Sequence, residues 1–511
     1  METIAPRIGG EKIYLLLVMG LGMALAGVLG MLIGTDAVAT VIVIAAAGGA
    51  LAWLVVARKR WWLLMPAAGT LGGYFYFGFK IYPHEIALLG CIVPLLISRA
   101  LSGRGFLDKQ RSPFPFAMYL LSFYLFAHWV GSNVYNRLNG EGGYGNVTRA
   151  YVNALWVILF LFAFRRYGSS KFLPAALLLT YLAAFLRVLT TVVIYLSKTF
   201  AYIPVINYVL PGSTHSGVSD LRGSGLALGT LAICYCLFKK GFVSRLFHGA
   251  VFLASFVAVL FGAGRTALVL ICLAPILAAV LYRRIIPILF SVVAAGGLLF
   301  TLNAFPTVLN GLPFLAQRSA SILLLDKGEA AKYGLATGSD EWHATLREIG
   351  FKKWTKDWNS FVFGTGIRPY DQAIAEFRMG ATTNEDFLAS SAKVGAYESG
   401  WWTVIAVTGL VGIVSYVSVL LYLLRRLLPV LLRDKVRDHR RAFAFMAVFN
   451  IVIWLGLGWT NGGFPSTEIM FGFLALFALD DEKAERPSAI TPIPVAHLPA
   501  PRQTRTLQRA R

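Results

Sequence analysis

Charge is scarce in this chain. Only 14% of its 511 residues are Asp, Glu, Lys or Arg, and acids are the scarcer kind, 25 against 47 bases. Soluble domains carry about a quarter charged residues. With 57% hydrophobic residues and a mean hydropathy of +0.66, a soluble globular fold is excluded and a polytopic membrane protein is indicated. Cysteine is nearly missing too. Cys91, Cys234, Cys236 and Cys272 all lie in apolar stretches, so they read as small core hydrophobes and exclude a disulfide framework or a zinc site. Cys234 and Cys236, two apart, fall on different faces of a helix. No P-loop, GxSxG, HExxH or CxxC pattern occurs, and no repeat of fixed period. A cleavable signal peptide is not expected, because the first apolar run, Ile13 to Ile33, is too long for one.

The basic excess has a position as well as a size. A net charge of +22 would suit nucleic acid, but the bases sit in short runs at alternate helix ends: Arg58-Lys59-Arg60, Arg165-Arg166, Lys239-Lys240, Arg283-Arg284, Arg425-Arg426 and Arg440-Arg441. That is the pattern of the positive-inside rule, so the charge is topological and no nucleic-acid partner is expected. About fourteen apolar spans follow, near 13–33, 37–56, 61–79, 85–98, 116–133, 150–164, 172–196, 223–238, 247–263, 266–282, 285–305, 400–424, 442–459 and 464–479. The last is interrupted by Pro465 and Glu468. Membrane lipid is thus the first partner. The expected fold is all-α, a polytopic transmembrane helical bundle with both termini cytoplasmic. Residues 1–305 carry spans 1–11, 306–396 form one large extracytoplasmic loop between spans 11 and 12, 397–480 carry spans 12–14, and 481–511 form a disordered basic cytoplasmic tail.

The long interruption at 306–396 is the most informative segment, since loops far above ~12–15 residues are functional or disordered. Within it, GSDEWHATLREIG reads as a helix. Ser339 can cap it, and Trp342, Leu346 and Ile349 form an apolar stripe that can lie on the bundle mouth, with His343 and Arg347 on a neighbouring face. SFVFGTG then ends in a Gly364-Thr365-Gly366 turn.

Several charges need an explanation. Arg187 lies within LLLTYLAAFLRVLTTVVIYL, where it needs a polar cavity or an ion-pair partner. Arg222 in SDLRGSG and Arg265 in GAGRTALVL each stand at an outer helix entry beside glycine. A guanidinium fork there suits phosphate oxygens, and anchoring at the head-group level is the plainer alternative. Glu398 opens the span after the long loop, as a dipole-stabilised helix-end charge or as a general base. His343, His215 and Tyr397 are further candidates, and Asn384-Glu385-Asp386 reads as a solvated loop stretch able to hold a divalent cation.

From Ser219 to Gly412 the chain resembles the O-antigen polymerase and O-antigen ligase superfamily of bacterial membrane glycosyltransferases. The resemblance rests on DLRGSG, GAGRTALVL, Arg318 in QRSAS, a Trp-containing loop helix, VFGTGIRPY and ESGWWTVIAVTGLVG, in that order and on one side. It implies a GT-C-like bundle in the bacterial inner membrane that transfers oligosaccharide from a polyprenyl diphosphate carrier to an acceptor glycan hydroxyl. It implies no cofactor and no metal, and contact with other polysaccharide-assembly proteins. Arg222 and Arg265 would carry the leaving diphosphate, Glu398 would be the base, and Arg187, Arg318, Arg347, His343 and Tyr397 would bind substrate. Ligases of the superfamily carry a histidine, usually in a His-Asn pair, where this chain has Glu398-Ser399. They also carry an arginine shortly before the loop tryptophan, where this chain has only Arg347, after Trp342. Both departures favour a polymerase over a ligase that transfers to lipid A–core. A lipid-linked glycan flippase is the alternative of another class, but the candidate residues crowd onto one face.

The charge pattern predicts that Asn139 and Ser339 face outward and that Ser102 and Ser488 face the cytoplasm. Single cysteines at these sites, treated with an impermeant thiol reagent in spheroplasts, should label at 139 and 339 only. Labelling at 102 but not 339 would invert the topology.

Overall fold

The computed structural model describes residues 60–76, 80–102, 112–138, 144–197, 202–203, 207–211, 220–238, 241–262, 264–281, 285–326, 328, 336–366, 399–433, 438–458 and 463–485. These are mostly helical. The expected spans at 13–33 and 37–56 lie outside them, as does 486–511. The helices are α1 (Leu64–Leu71), α2 (Pro83–Ser102), α3 (Phe116–Leu138), α4 (Tyr144–Tyr167), α5 (Leu173–Ser197), α6 (Asp220–Phe238), α7 (Phe242–Phe261), α8 (Arg265–Leu281) and α9 (Ile285–Ala304). In the long segment come α10 (Phe314–Ala320), α11 (Ala336–Trp354) and α12 (Trp358–Phe363), and after it α13 (Gly400–Arg433), α14 (His439–Leu457) and α15 (Ser466–Glu485). Among the described residues, four helical stretches are long and apolar enough to cross a membrane: Ser170–Ser197, Phe242–Phe261, Gly400–Arg433 and His439–Leu457.

The span expected at 61–79 is corrected. α1 ends after Leu71, and Gly72 and Gly73 take φ of 72° and 68°, a left-handed backbone that glycine adopts without steric cost. Tyr74–Tyr76 then forms β1, which pairs with β2 (Lys80–Ile81) and with β4 (Tyr208–Val209); β3 (Tyr202–Ile203) pairs with β4. The order is β2-β1-β4-β3, all antiparallel, with Phe75 opposite both Ile81 and Tyr208. The all-helical expectation therefore misses a small sheet. Hydropathy could not find it, because an apolar aromatic strand and an apolar helix have the same mean hydropathy.

The last span is also read differently once folded. α15 starts after Pro465, so the proline precedes the helix rather than interrupting it, and Glu468 sits in the first turn, where the helix dipole favours a carboxylate. The helix runs to Glu485, so residues 481–485 belong to it and not to a disordered tail.

One end of the bundle collects the basic runs. Asp481, 2% exposed, accepts from Ser170 N–H at 3.1 Å and Ser170 Oγ at 2.7 Å. Asp480 accepts from Ser112 N–H at 3.0 Å, with Arg426 at 3.8 Å. Arg441, 1% exposed, reaches Asp438 at 2.9 Å and Glu482 at 2.6 Å. Arg60 lies over the Phe172 ring, and Trp62 Nε1 donates to Ser169 O at 3.0 Å. Asp480, Asp481 and Glu482, near the end of α15, thus tie together the chain before α3, the turn before α5, the last third of α13 and the start of α14. Inside them, the Phe114 ring meets Phe162, Phe473 and Phe477 at centroid distances of 4.6, 4.9 and 5.7 Å.

Asp481→Ala would strand the buried Ser170 donors, which costs about 1–3 kcal/mol. A lower midpoint in thermal unfolding of detergent-solubilised protein is expected, and an unchanged midpoint would show that the Ser170–Asp481 pair carries no stability.

Candidate functional site

At the opposite end, the start of α6 is the meeting point. Asp220 opens α6, where its carboxylate suits the helix dipole, and it accepts from Arg187 Nη2 at 3.3 Å. Arg187 Nη1 donates to Thr70 O at 3.2 Å. A Cβ on Gly72 would lie 2.7 Å from Arg187 Nε, so the left-handed turn after α1 leaves room only for glycine against the guanidinium. Tyr208 donates to Gly72 O at 2.8 Å; burial pushes its phenol up to about 12, opposed by Arg187, so the donor keeps its proton. Arg187 therefore has the ion-pair partner that its position in an apolar helix demands.

Two residues on, Arg222 is exposed. The α7–α8 turn packs directly on it. A Cβ on Gly262 would lie 3.0 Å from Arg222 Cα, and one on Gly264 would lie 2.8 Å from Arg222 Cβ and 3.0 Å from Arg222 Cδ. Glycine at 262 and 264 is a matter of space here, since only a bare backbone allows this approach. Arg265 follows Gly264 as the first residue of α8 and is half-buried. Arg222 and Arg265, 43 residues apart in sequence, thus stand side by side at the starts of two helices, whose unpaired N–H groups add positive potential. α10, which carries half-buried Arg318, packs on both α7 and α8. Leu260 and Leu323 join the apolar clusters on either side of this contact. Arg187, Arg222, Arg265 and Arg318 are thereby brought to one corner.

Arg347 is not part of that corner. It lies half-buried on α11, which packs on α13. The apolar stripe behaves as expected: Leu346 is fully buried, and Ile349 packs on Ala406 with Trp402. The side chains of Trp342 and His343 and the whole of Tyr397 and Glu398 lie outside the described residues, as do His215 and 384–386. The residues just past Glu398 are fixed by hydrogen bonds: Ser399 Oγ donates to Gly458 O at 3.2 Å, Trp401 Nε1 to Trp454 O at 3.1 Å, and Trp454 Nε1 to Gly463 O at 3.0 Å.

A second feature escaped the sequence reading. α13 is broken at Gly409 (φ 64°, ψ −165°). The Gly364–Gly366 turn enters the break. Thr365 N–H donates to Ala406 O at 2.8 Å, Gly366 N–H to Val407 O at 3.0 Å, and Tyr124 Oη reaches both Thr408 O and Phe363 O at 2.9 Å. Gly364 and Gly366 have φ of 78° and 70°, and any side chain on Gly364 would overlap the Val407 carbonyl. Asp357 caps α12 by accepting from Ser360 N–H at 2.7 Å, which holds its carboxyl below the usual range. Trp354 Nε1 donates to Phe361 O at 2.8 Å. Tyr124, His128 and Ser132 face this turn. Their spacing, four apart in an apolar helix, was the signal available in the sequence.

Comparison with protein-family models, curated proteins and solved structures finds no match. The geometry therefore stands alone. It sets arginines near the start of α6 and hydrogen-bonds the Gly364–Gly366 turn into α13.

Gly364→Ala forces a left-handed residue to carry a Cβ and pushes it into Val407 O, a strain of about 1–3 kcal/mol. Faster amide exchange at Thr365 and Gly366 is expected. Wild-type protection would mean that the turn is not held by the break in α13.

Proposed function

We propose that this protein is a membrane glycan polymerase of the bacterial inner membrane. In this reading it is a GT-C-like bundle of about fourteen spans, with both termini cytoplasmic and the long segment outside. It transfers oligosaccharide from a polyprenyl diphosphate carrier to a hydroxyl of an acceptor glycan. The observation that carries the reading is the convergence of Arg222 and Arg265 through Gly262 and Gly264. Two guanidinium-bearing residues at adjoining helix starts present planar donor forks suited to phosphate oxygens. A diphosphate is the kind of anion such a pair of forks fits.

The chemistry follows from the charge flow. The acceptor oxygen bonds to the anomeric carbon as the bond from that carbon to the diphosphate oxygen breaks. Negative charge grows on the leaving diphosphate, and preorganised cations lower the barrier most where charge develops. Arg222 and Arg265 take that role, with Arg318 beside them. Arg187, already paired with Asp220, fixes the start of α6 from which Arg222 projects. The hydroxyl proton needs an acceptor. Glu398, one residue before Ser399 at the head of α13, is the group proposed for it. Arg347, His343 and Tyr397 belong on this reading to the wall around the acceptor.

Arg265→Lys keeps a cation but loses the planar fork. Removal of one such donor costs about 10²–10³-fold in turnover, so both Arg265→Lys and Arg265→Ala should lose polymer by that order while protein still accumulates in the membrane. The assay is elongation of lipid-linked glycan by purified protein. Wild-type elongation by the Lys variant would rule out the diphosphate role. In the same assay Glu398→Gln should fall by about 10²–10⁴-fold, with binding of the carrier retained.

A further inference from the structure

The arginine corner can hold a diphosphate but offers little to a sugar. A group of opposite character stands at the break in α13. Tyr124, His128 and Ser132 lie on one face of α3, each one turn from the next, and all three are half-buried. A polar stripe on so apolar a helix turns toward protein or a wet groove and not toward lipid. The Gly364–Gly366 turn runs along it. The Tyr124 hydroxyl donates to the Phe363 carbonyl at 2.9 Å, and the His128 ring packs on the Tyr124 ring. A Cβ on Gly366 would lie 2.9 Å from Ser132 Oγ and 3.8 Å from Tyr151 Oη. Tyr151, from α4, closes the far side: its ring is 6.3 Å from that of His128, which in turn is 4.6 Å from Tyr124. Behind Tyr151 the Tyr416 hydroxyl is buried and has no hydrogen-bond partner among the described residues.

The chemistry of this group is specific. Among the described residues its members are phenols, aliphatic hydroxyls, an imidazole and backbone amides, with no charged side chain. A charged ligand would be stranded there without a counter-charge. A neutral His128 imidazole carries one donor and one acceptor nitrogen. Ser132 offers a hydroxyl, Thr365 a hydroxyl oxygen that can still accept, and the half-buried Tyr124 ring an apolar face. Donors, acceptors and flat apolar faces without charge are what a pyranose presents in return.

We propose that the Tyr124–His128–Ser132 face beside the Gly364–Gly366 turn is a subsite for the sugar hydroxyls of the acceptor glycan. The proposal rests on the transfer reading above and adds to it a division of labour. The arginine corner takes the carrier diphosphate, and the neutral aromatic group on α3, α4 and α13 takes sugar.

Two probes separate the sites in full-length protein held in lipid nanodiscs. One is bare polyprenyl diphosphate. The other is the lipid-free oligosaccharide released from the host cell's own lipid-linked pool. His128→Phe should weaken the oligosaccharide about three- to thirtyfold, the range of one or two neutral hydrogen bonds, and leave polyprenyl diphosphate unchanged. Arg265→Ala should do the reverse. His128→Gln, which keeps a hydrogen-bonding side chain, should recover part of the loss, and its thermal midpoint guards against misfolding of the Phe variant. Wild-type oligosaccharide affinity in both His128 variants, or no oligosaccharide binding by the wild type, would overturn the sugar subsite. Unchanged polyprenyl diphosphate binding in Arg265→Ala would instead overturn the carrier site, and with it the transfer reading.

Discussion

Backbone hydrogen bonding away from water is the constraint on which the rest of this structure depends. A helix interrupted in an apolar surrounding leaves carbonyls that must find donors, at a cost of several kcal/mol each if they do not. The break at Gly409 frees the carbonyls of Ala406, Val407 and Thr408, and each is met by a group from elsewhere: Thr365 N–H, Gly366 N–H and the Tyr124 hydroxyl. The described part of the segment between α9 and α13 is therefore held in place. It is stitched into α13, and the stitch brings α3 with it. α11 and α12 then have a fixed position, with Leu346 and Ile349 turned to the bundle.

The two ends of the bundle use charge in opposite ways. At the basic end, acids at the close of α15 meet Arg426, Arg440 and Arg441, and buried donors of Ser170 and Ser112 complete the set. Charges there are matched and hydrogen-bonded, as burial requires. At the other end Arg187 is matched by Asp220, while Arg222 and Arg265 are drawn together by glycine-lined packing. The meeting of these two helix starts supports the proposed anionic ligand.

Glycine explains how both features arise. Gly262 and Gly264 allow a helix start to rest on a turn, and Gly364, Gly366 and Gly409 let a turn enter a helix. Gly72 and Gly73 let the chain pass over Arg187 and become a strand. In each case the missing Cβ permits an approach of backbone to backbone or to guanidinium that any other residue would block.

Hydropathy and charge runs alone determined that this chain is a helical membrane protein. They also located most helices from residue 83 onward, because burial of apolar length in lipid depends only on local composition. The loop stripe of Leu346 and Ile349 was legible for the same reason, since helical period is local. The pairing of Arg187 with Asp220 was foreseeable as a need but not as a partner. Four things were decided only by tertiary structure. These are the sheet at Tyr74–Tyr76, the helical continuation through Asp481, the meeting of Arg222 with Gly264-Arg265, and the entry of Gly364–Gly366 into α13. Each depends on which distant segment supplies a hydrogen bond or withholds a side chain, and no window of neighbouring residues contains that information.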